Sequence, residues 1–288
     1  MNYLLLILAT LASTTKALVC KKIGMGAISE GRVLRENSMI FLFASVAVIA
    51  MSPLTGGLHI SGKTLLIALI FAVSLLFTQL MQMYAMRHGP ASITTLIYSF
   101  GFLVPIIYGY AALGEPISIP QLIGIIVAAL SLFFITDPKR DRASSRIWLI
   151  LSFLAALGSG INAVIQKLHR TLAPETEISA LLVISFLLAS LISFALSFAI
   201  KCDTEKDPPL RLSLGFTAFS GVAIGGLNIL NLLIAGRLPA VIQFPVYNIG
   251  SMILVGIGGA VFYGDRLSPK QAIGFLIGAV AILIIGLL

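Results

Sequence analysis

Long apolar stretches broken by short polar ones set the rhythm of this 288-residue chain. Apolar runs suited to crossing about 30 Å of hydrocarbon cover Tyr3–Cys20, Met39–Pro53, Leu65–Met86, Ala91–Leu113 and Gln121–Thr136. Five more cover Ile147–Gln166, Ile178–Ile200, Leu212–Ala235, Ala240–Tyr263 and Ala272–Leu288, so the pattern predicts ten spans. In lipid each span must satisfy its own backbone hydrogen bonds, which predicts helices; a β-barrel would show weaker segments of about ten alternating residues. The polar stretches hold the breakers. Gly24, Gly26 and Gly31 mark Lys21–Asn37 as a loop whose Glu30, Arg32, Arg35 and Glu36 are solvated, and Pro53 with Gly56 and Gly57 stops the second span.

The pattern also repeats. Pro90-Ala91, Tyr98, Gly101, Gly109 and Ala111 recur as Pro239-Ala240, Tyr247, Gly250, Gly258 and Ala260. Gly114-Glu115-Pro116-Ile117-Ser118 recurs as Gly264-Asp265-Arg266-Leu267-Ser268, Gln79 and Gln82 recur as Asn228 and Asn231, and the stretch around Lys16 aligns with that around Asn162. The repeat divides the chain into a first half, 1–136, a charged linker, 137–146, and a second half, 147–288, with five spans on each side. An odd number of spans sends the second half into the membrane in the opposite sense. The expected fold is therefore an all-α integral membrane protein, with ten transmembrane helices in two inverted-topology repeats of five and a substrate site between the halves.

Composition agrees: 58% of residues are hydrophobic, 10% are charged and the mean hydropathy is +1.05, which excludes a soluble domain of this length. The net charge of +8 is spread over short loops rather than one solvated domain, so no nucleic-acid partner is expected. With the N-terminus inside, the inner loops hold Lys63, Lys167, Arg170 and Arg237, while the outer loops hold fourteen of the nineteen Lys and Arg residues, Lys16 set aside. The positive-inside rule thus places both termini outside. Cys20 and Cys202 have neither redox nor metal spacing. The apolar N-terminus is read as a retained span, because no basic residue precedes it and Lys16 lies within it.

Candidate chemistry lies inside the spans. Lys16 is the one charged residue well within a predicted span, a costly placement that a polar cavity or snorkelling toward Lys21 would offset. Gln79 and Gln82 share a helix face, as do Asn162 and Gln166. Such amides serve either as interhelical packing bonds or as a cavity lining, and their repetition at Asn228 and Asn231 favours the lining. Tyr98 and Tyr247 fall too deep for an interfacial belt. Glu115 and Asp265 are read as structural charges near a following helix start, with Ser118 and Ser268 as N-caps and Pro269 in the first helical position. His59, His88 and His169 have no evident paired carboxylate within the spans, and His88 is interfacial rather than a metal ligand. No catalytic, metal or cofactor site is expected, and no Gly-x4-Gly-Lys-Ser/Thr nucleotide motif occurs.

These features resemble the drug/metabolite transporter superfamily, specifically its ten-helix EamA-type members. The lysine late in the first span, the Gly-Glu/Asp-x-x-Ser turns and the x-x-Gln-x-x-Gly that follows them carry the resemblance over the whole chain. It implies a multi-pass protein of the bacterial inner membrane, with both termini cytoplasmic, against the Lys/Arg count. It also implies export of a small polar metabolite, such as an amino acid or carboxylate-bearing solute, by alternating access. The cavity would be lined by Lys16, Gln79, Gln82, Tyr98, Asn162, Asn228, Asn231 and Tyr247. The expected partners are a small-molecule substrate and the lipid bilayer, and the chain is taken as a monomer or homodimer. A flippase for an amphiphilic or lipid-linked substrate is the alternative, and a non-transporting sensor, subunit or membrane enzyme comes after it. The chain lacks the first-span glutamate of the four-helix relatives, and no acid falls within the predicted spans.

Overall fold

The computed structural model describes residues 2–23, 29–88, 94, 97–135, 146–200, 210–263 and 268–287. Among the described residues there are ten helices and no strand. The first half holds α1 (Asn2–Ile23), α2 (Glu30–Met51), α3 (Gly62–His88), α4 (Leu103–Leu113) and α5 (Ile119–Ile135). The second holds α6 (Arg146–Leu172), α7 (Ile178–Ala199), α8 (Leu210–Ala235), α9 (Ala240–Tyr263) and α10 (Pro269–Leu287). By length and composition six of these, α2, α3, α6, α7, α8 and α9, suffice to cross a membrane; shorter apolar helices occupy Asn2–Thr15, Ile97–Leu113, Ile119–Ser131 and Ala272–Ile285.

The helices turn apolar side chains outward. On α3, Leu65, Leu66, Leu69, Ile70, Val73 and Phe77 are exposed, while Ile67, Ala68, Phe71 and Ala72 on the other side are buried. Leu122, Ile126 and Leu130 of α5 and Leu276, Val280 and Leu283 of α10 are likewise exposed. Apolar faces of this extent need lipid as their solvent. The protein is a multi-pass membrane protein.

Several helix borders differ from the sequence expectation, and those of α2 and α6 bear on charged residues. The stretch Lys21–Asn37 is not a loop throughout, because α2 begins at Glu30. Ser29 has extended backbone and its hydroxyl accepts the Arg32 N–H at 3.3 Å, capping the new helix end. Arg32 Nε then donates to Glu36 Oε1 at 3.0 Å, and both residues are buried rather than solvated. Pairing at this i,i+4 spacing lets the charged turn enter the helix bundle, so an acid does lie within an apolar helix. Similarly, α6 runs past Gln166 to Leu172 and takes in Lys167, His169 and Arg170.

The expected turns are present. After α2, Ser52–Thr55 forms a 3-10 turn, and Gly56 and Gly57 follow at φ of 88° and 105°, a left-handed region open to glycine. Gly114 ends α4 at φ 65°, and the Glu115 N–H returns to Gly109 O at 3.0 Å. Ser118 and Gln121 form a reciprocal capping box at the start of α5, with Ser118 N–H donating to Gln121 Oε1 at 3.0 Å and Gln121 N–H to Ser118 Oγ at 3.3 Å. Pro269 opens α10. Gly24, Gly26, Pro90, Ala91, Cys202, residues 264–267 with Asp265, and the linker apart from Arg146 lie outside the described residues, as do the side chains of Lys16, Cys20, Lys21 and Lys22.

The chain forms two compact units. One comprises Met1–Thr10, Phe77–Lys167 and Ile234–Leu288; the other comprises Leu11–Leu76 and Leu168–Leu233. In the second, α2 and α7 pack antiparallel: Leu34 O accepts Ser193 Oγ at 2.9 Å, Ser38 O accepts Ser190 Oγ at 2.8 Å, and the Phe41 and Phe186 rings stack at 6.0 Å. Gly221 and Gly225 of α8 lie on α2, where a Cβ would stand 2.6 Å from Ile40 O and 2.9 Å from Ala44 O. In the first unit α5 and α10 also run antiparallel. A Cβ at Gly124 would stand 2.6 Å from Ile285 Cγ1, and one at Gly278 would stand 3.3 Å from Ser131 Oγ. Phe102, Ile106, Ile125, Val241, Phe244 and Ile249 form the core beside that pair. Helices in lipid gain nothing from apolar burial against one another, so small residues and hydroxyl bonds carry their packing.

Candidate functional site

The Gly158-Ser159-Gly160 stretch of α6 brings three helices together within the first unit. A Cβ at Gly101 would stand 2.5 Å from Ala156 O, and one at Gly160 would stand 2.7 Å from Gly101 O, so α6 and the helical run Ile97–Leu113 cross backbone to backbone. Beside this crossing, a Cβ at Gly158 would stand 3.4 Å from Thr78 Cα on α3. That approach lets Asn162 Nδ2 donate to Thr78 Oγ1 at 3.0 Å. Ser99 Oγ reaches Met252 Sδ of α9 at 3.9 Å, which joins a fourth helix.

Five expected site residues belong to this unit: Gln79, Gln82, Tyr98, Asn162 and Tyr247. Asn162 Oδ1 is buried without a hydrogen-bond partner among the described residues. Gln79, Gln82 and Tyr98 are half-buried, and their side chains have no hydrogen-bond partner among the described residues. A half-buried amide in an apolar helix must meet water, solute or protein. Among the described residues these amides are not spent on helix packing. Tyr247 is half-buried, whereas its neighbour Asn248 gives its amide to Phe244 O at 2.8 Å.

The other three belong to the second unit. Lys16 lies on α1, and its side chain is outside the described residues. Asn228 is buried and donates Nδ2 to Ile224 O at 2.9 Å on its own helix, while Asn231, one turn later, is half-buried.

Glu115 has a structural task, but for a helix the sequence did not indicate. Its Oε2 accepts the Ala240 N–H at 2.7 Å, at the start of α9 rather than of the following α5. Its Oε1 accepts from Lys167 Nζ, which also donates to Leu238 O at 3.0 Å. The carboxylate thus satisfies an orphan helix donor and a buried ammonium together. Gly109 leaves the space: a Cβ there would stand 3.1 Å from Ala240 Cβ and 3.2 Å from the Glu115 carboxyl carbon.

His169 is linked through Thr64 to a carboxylate, Glu177, which lies just before the predicted span Ile178–Ile200. Its Nε2 lies 3.0 Å from Thr64 Oγ1, and Thr64 donates to Glu177 Oε2. Ser61 Oγ donates to the same oxygen at 2.7 Å and also accepts the Thr64 N–H at 3.2 Å, capping α3. His169 and Glu177 flank Pro174 in the turn from α6 to α7, which is the one sequence signal that relates them. No group of three metal-ligating side chains occurs among the described residues.

Comparison with known proteins gives a family match over part of the chain and a likeness of fold. Residues 1–137 match the model of the EamA-like transporter family. A solved crystal structure is similar to this chain with a TM-score of 0.78 at 15% sequence identity, over 99% of this chain and 96% of the other. At that identity the likeness shows the fold alone. Among curated proteins, none matches.

Proposed function

From the match of residues 1–137 to the EamA-like transporter family, we propose that the chain is a transporter of that type and a secondary exporter of a small polar metabolite, such as an amino acid or carboxylate-bearing solute. Its halves, 1–136 and 147–288, act as inverted repeats that rock around a central cavity in the bacterial inner membrane. Antiparallel packing of α2 on α7 and of α5 on α10 supports this reading, because each pair holds corresponding positions in the two halves. A two-fold axis in the membrane plane reverses a helix onto its equivalent.

The observation that carries the reading is the set of uncommitted polar groups in one unit: the Gln79 and Gln82 amides, the Tyr98 hydroxyl and Asn162 Oδ1. In a transport cavity these groups exchange water for the polar groups of a solute. Lys16 receives the solute's carboxylate, and Asn228, Asn231 and Tyr247 complete the lining. The Lys and Arg distribution favours both termini on the outer face, whereas the family resemblance favours both on the cytoplasmic face.

Purified protein in proteoliposomes, tested by counterflow with amino acids, other carboxylates, sugars and quaternary amines, decides the matter. Exchange of carboxylate-bearing solutes is expected. Exchange of quaternary amines alone, or of no solute, removes the proposal. Cysteine labelling in the α6–α7 turn of intact cells reads the orientation.

A further inference from the structure

The cluster at the far end of α6 has a chemistry of its own. His169 and Thr64 are 0% exposed and Glu177 is 8% exposed. Thr64 has a single hydroxyl proton and donates it to Glu177 Oε2, so only its lone pair is left for His169. The 3.0 Å contact is therefore His169 Nε2–H donating to Thr64 Oγ1. This fixes neutral His169 as the Nε2–H tautomer and leaves Nδ1 as a bare lone pair. His169 Nδ1 is buried and has no partner among the described residues. Glu177 is held as the carboxylate by hydroxyl protons from Thr64 and Ser61 on one oxygen.

We propose that His169, Thr64 and Glu177 form a proton-binding site that couples this transporter to a proton gradient, a reading that rests on the transport function above. A hydronium reaching Nδ1 leaves its proton there and departs as water. Nε2–H then passes its proton to Thr64 Oγ1 as Thr64 passes its own to Glu177 Oε2. One proton has entered, Thr64 is unchanged, and the cluster has gone from one net negative charge to none. Before the relay moves, the same proton makes His169 an imidazolium opposite the Glu177 carboxylate.

Two charges act on the histidine in opposite senses. The Glu177 carboxylate favours its protonation, whereas Arg170, next to it on α6, opposes it while donating to Glu175 Oε2 at 3.3 Å and to Ala173 O at 3.4 Å. Lys63 beside Thr64 on α3 and His59 in the preceding turn are exposed. The loops pack closely, since a Cβ at Gly56 would stand 2.8 Å from Thr176 Cγ2. The cluster joins the first turn of α3, the last turn of α6 and the turn into α7. Because α6 also carries Asn162, the charge at one end is linked by a continuous helix to a residue of the proposed substrate lining.

The test uses the full chain carrying His59→Gln and His88→Gln, with histidine nitrogens followed by NMR across pH. On the high-pH side of the midpoint the neutral ring should be the Nε2–H tautomer, and it should take its proton at Nδ1. Glu177→Gln should move that midpoint down by about one pH unit or more, since it removes the opposing charge. Thr64→Val should do the same and Thr64→Ser should restore it. In proteoliposomes a pH gradient should drive solute movement in the wild-type protein but not in His169→Gln, which should still exchange solute for solute. An Nδ1–H tautomer on the high-pH side of the midpoint, a midpoint unmoved by Glu177→Gln, or flux that follows the pH gradient in His169→Gln overturns the proposal. If no preparation moves any solute, the transporter reading falls, and with it the coupling, while the NMR titration still decides whether the cluster binds a proton.

Discussion

Glu115 and Lys167, 52 positions apart in the chain, form an ion pair whose side chains are 19% and 3% exposed. The lysine comes from the end of α6 and the acid from the loop after α4, so one contact ties a loop of the first half to a helix of the second. Glu115→Ala leaves the ammonium buried without its counter-charge and the Ala240 N–H without its acceptor. Breaking such a pair costs about 3–5 kcal/mol, and denaturant unfolding in detergent should show a loss of that order. Lys167→Met added to Glu115→Ala should recover part of it, because removing both charges is cheaper than removing one. Losses that simply add would show the two residues to be uncoupled.

The backbone crossing at Gly101 gives a second prediction. A Cβ there would stand 2.5 Å from Ala156 O, so Gly101→Ala must push two helices apart. Overpacking of this kind costs about 1–3 kcal/mol. Gly215→Ala in α8 is the control, since a Cβ there meets nothing within 4 Å. It should be neutral or stabilising by up to about 1 kcal/mol, as Ala favours helix over Gly. Thermal unfolding of the two variants side by side checks the contrast.

Hydroxyl bonds between α2 and α7 should each be worth little. Ser190→Ala removes the donor to Ser38 O and an acceptor 3.1 Å from Ser38 Oγ. Interhelical bonds in membranes average about 0.6 kcal/mol, with a maximum near about 1.7. A loss inside that range is expected in the unfolding free energy. A much larger one would show that the serine fixes the register of the pair.

Transport kinetics test the proposed lining. Gln79→Ala, Gln82→Ala and Tyr98→Phe each remove a polar group that has no hydrogen-bond partner among the described residues, so stability should change little. A hydrogen bond to a charged solute is worth about 1.5–3 kcal/mol, so KM should rise by about 10- to 100-fold. Unchanged KM in all three would place the solute elsewhere.

Lys16→Ala should remove the preference for carboxylate-bearing solutes, and Lys16→Arg should keep part of it. Competition by neutral analogues of the same size provides the readout. If the selectivity of Lys16→Ala equals that of the wild-type protein, the lysine has no part in recognition.

The spans were legible because hydropathy along the chain is a local property. Ala240–Tyr263 was predicted residue for residue as α9, and the glycine and Ser118 of the turn before α5 take the roles their residue types indicated. The start of α2 was not, since Glu30, Arg32 and Glu36 look solvated until Arg32 is seen to neutralise Glu36. The signal that could have found it is Ser29, a capping residue type directly before Glu30. Asn162 was legible as a polar position within a span, but its bond to Thr78 follows from the close approach allowed by Gly158.

By itself the sequence determined that this is a multi-pass helical membrane protein, roughly where its apolar spans lie, and which polar residues those spans carry. Lipid makes this possible, because a backbone that cannot bond to its solvent must bond to itself, and the length of an apolar run then nearly specifies the element. Only the tertiary structure decided which of those polar residues are spent on one another. Glu115 serves Lys167 and the start of α9, and Glu177 meets His169 through Thr64, while Gln79, Gln82 and Tyr98 have no hydrogen-bond partner among the described residues. Such pairings depend on the rotation and register of whole helices against their neighbours, which the spacing of residues along one helix does not contain.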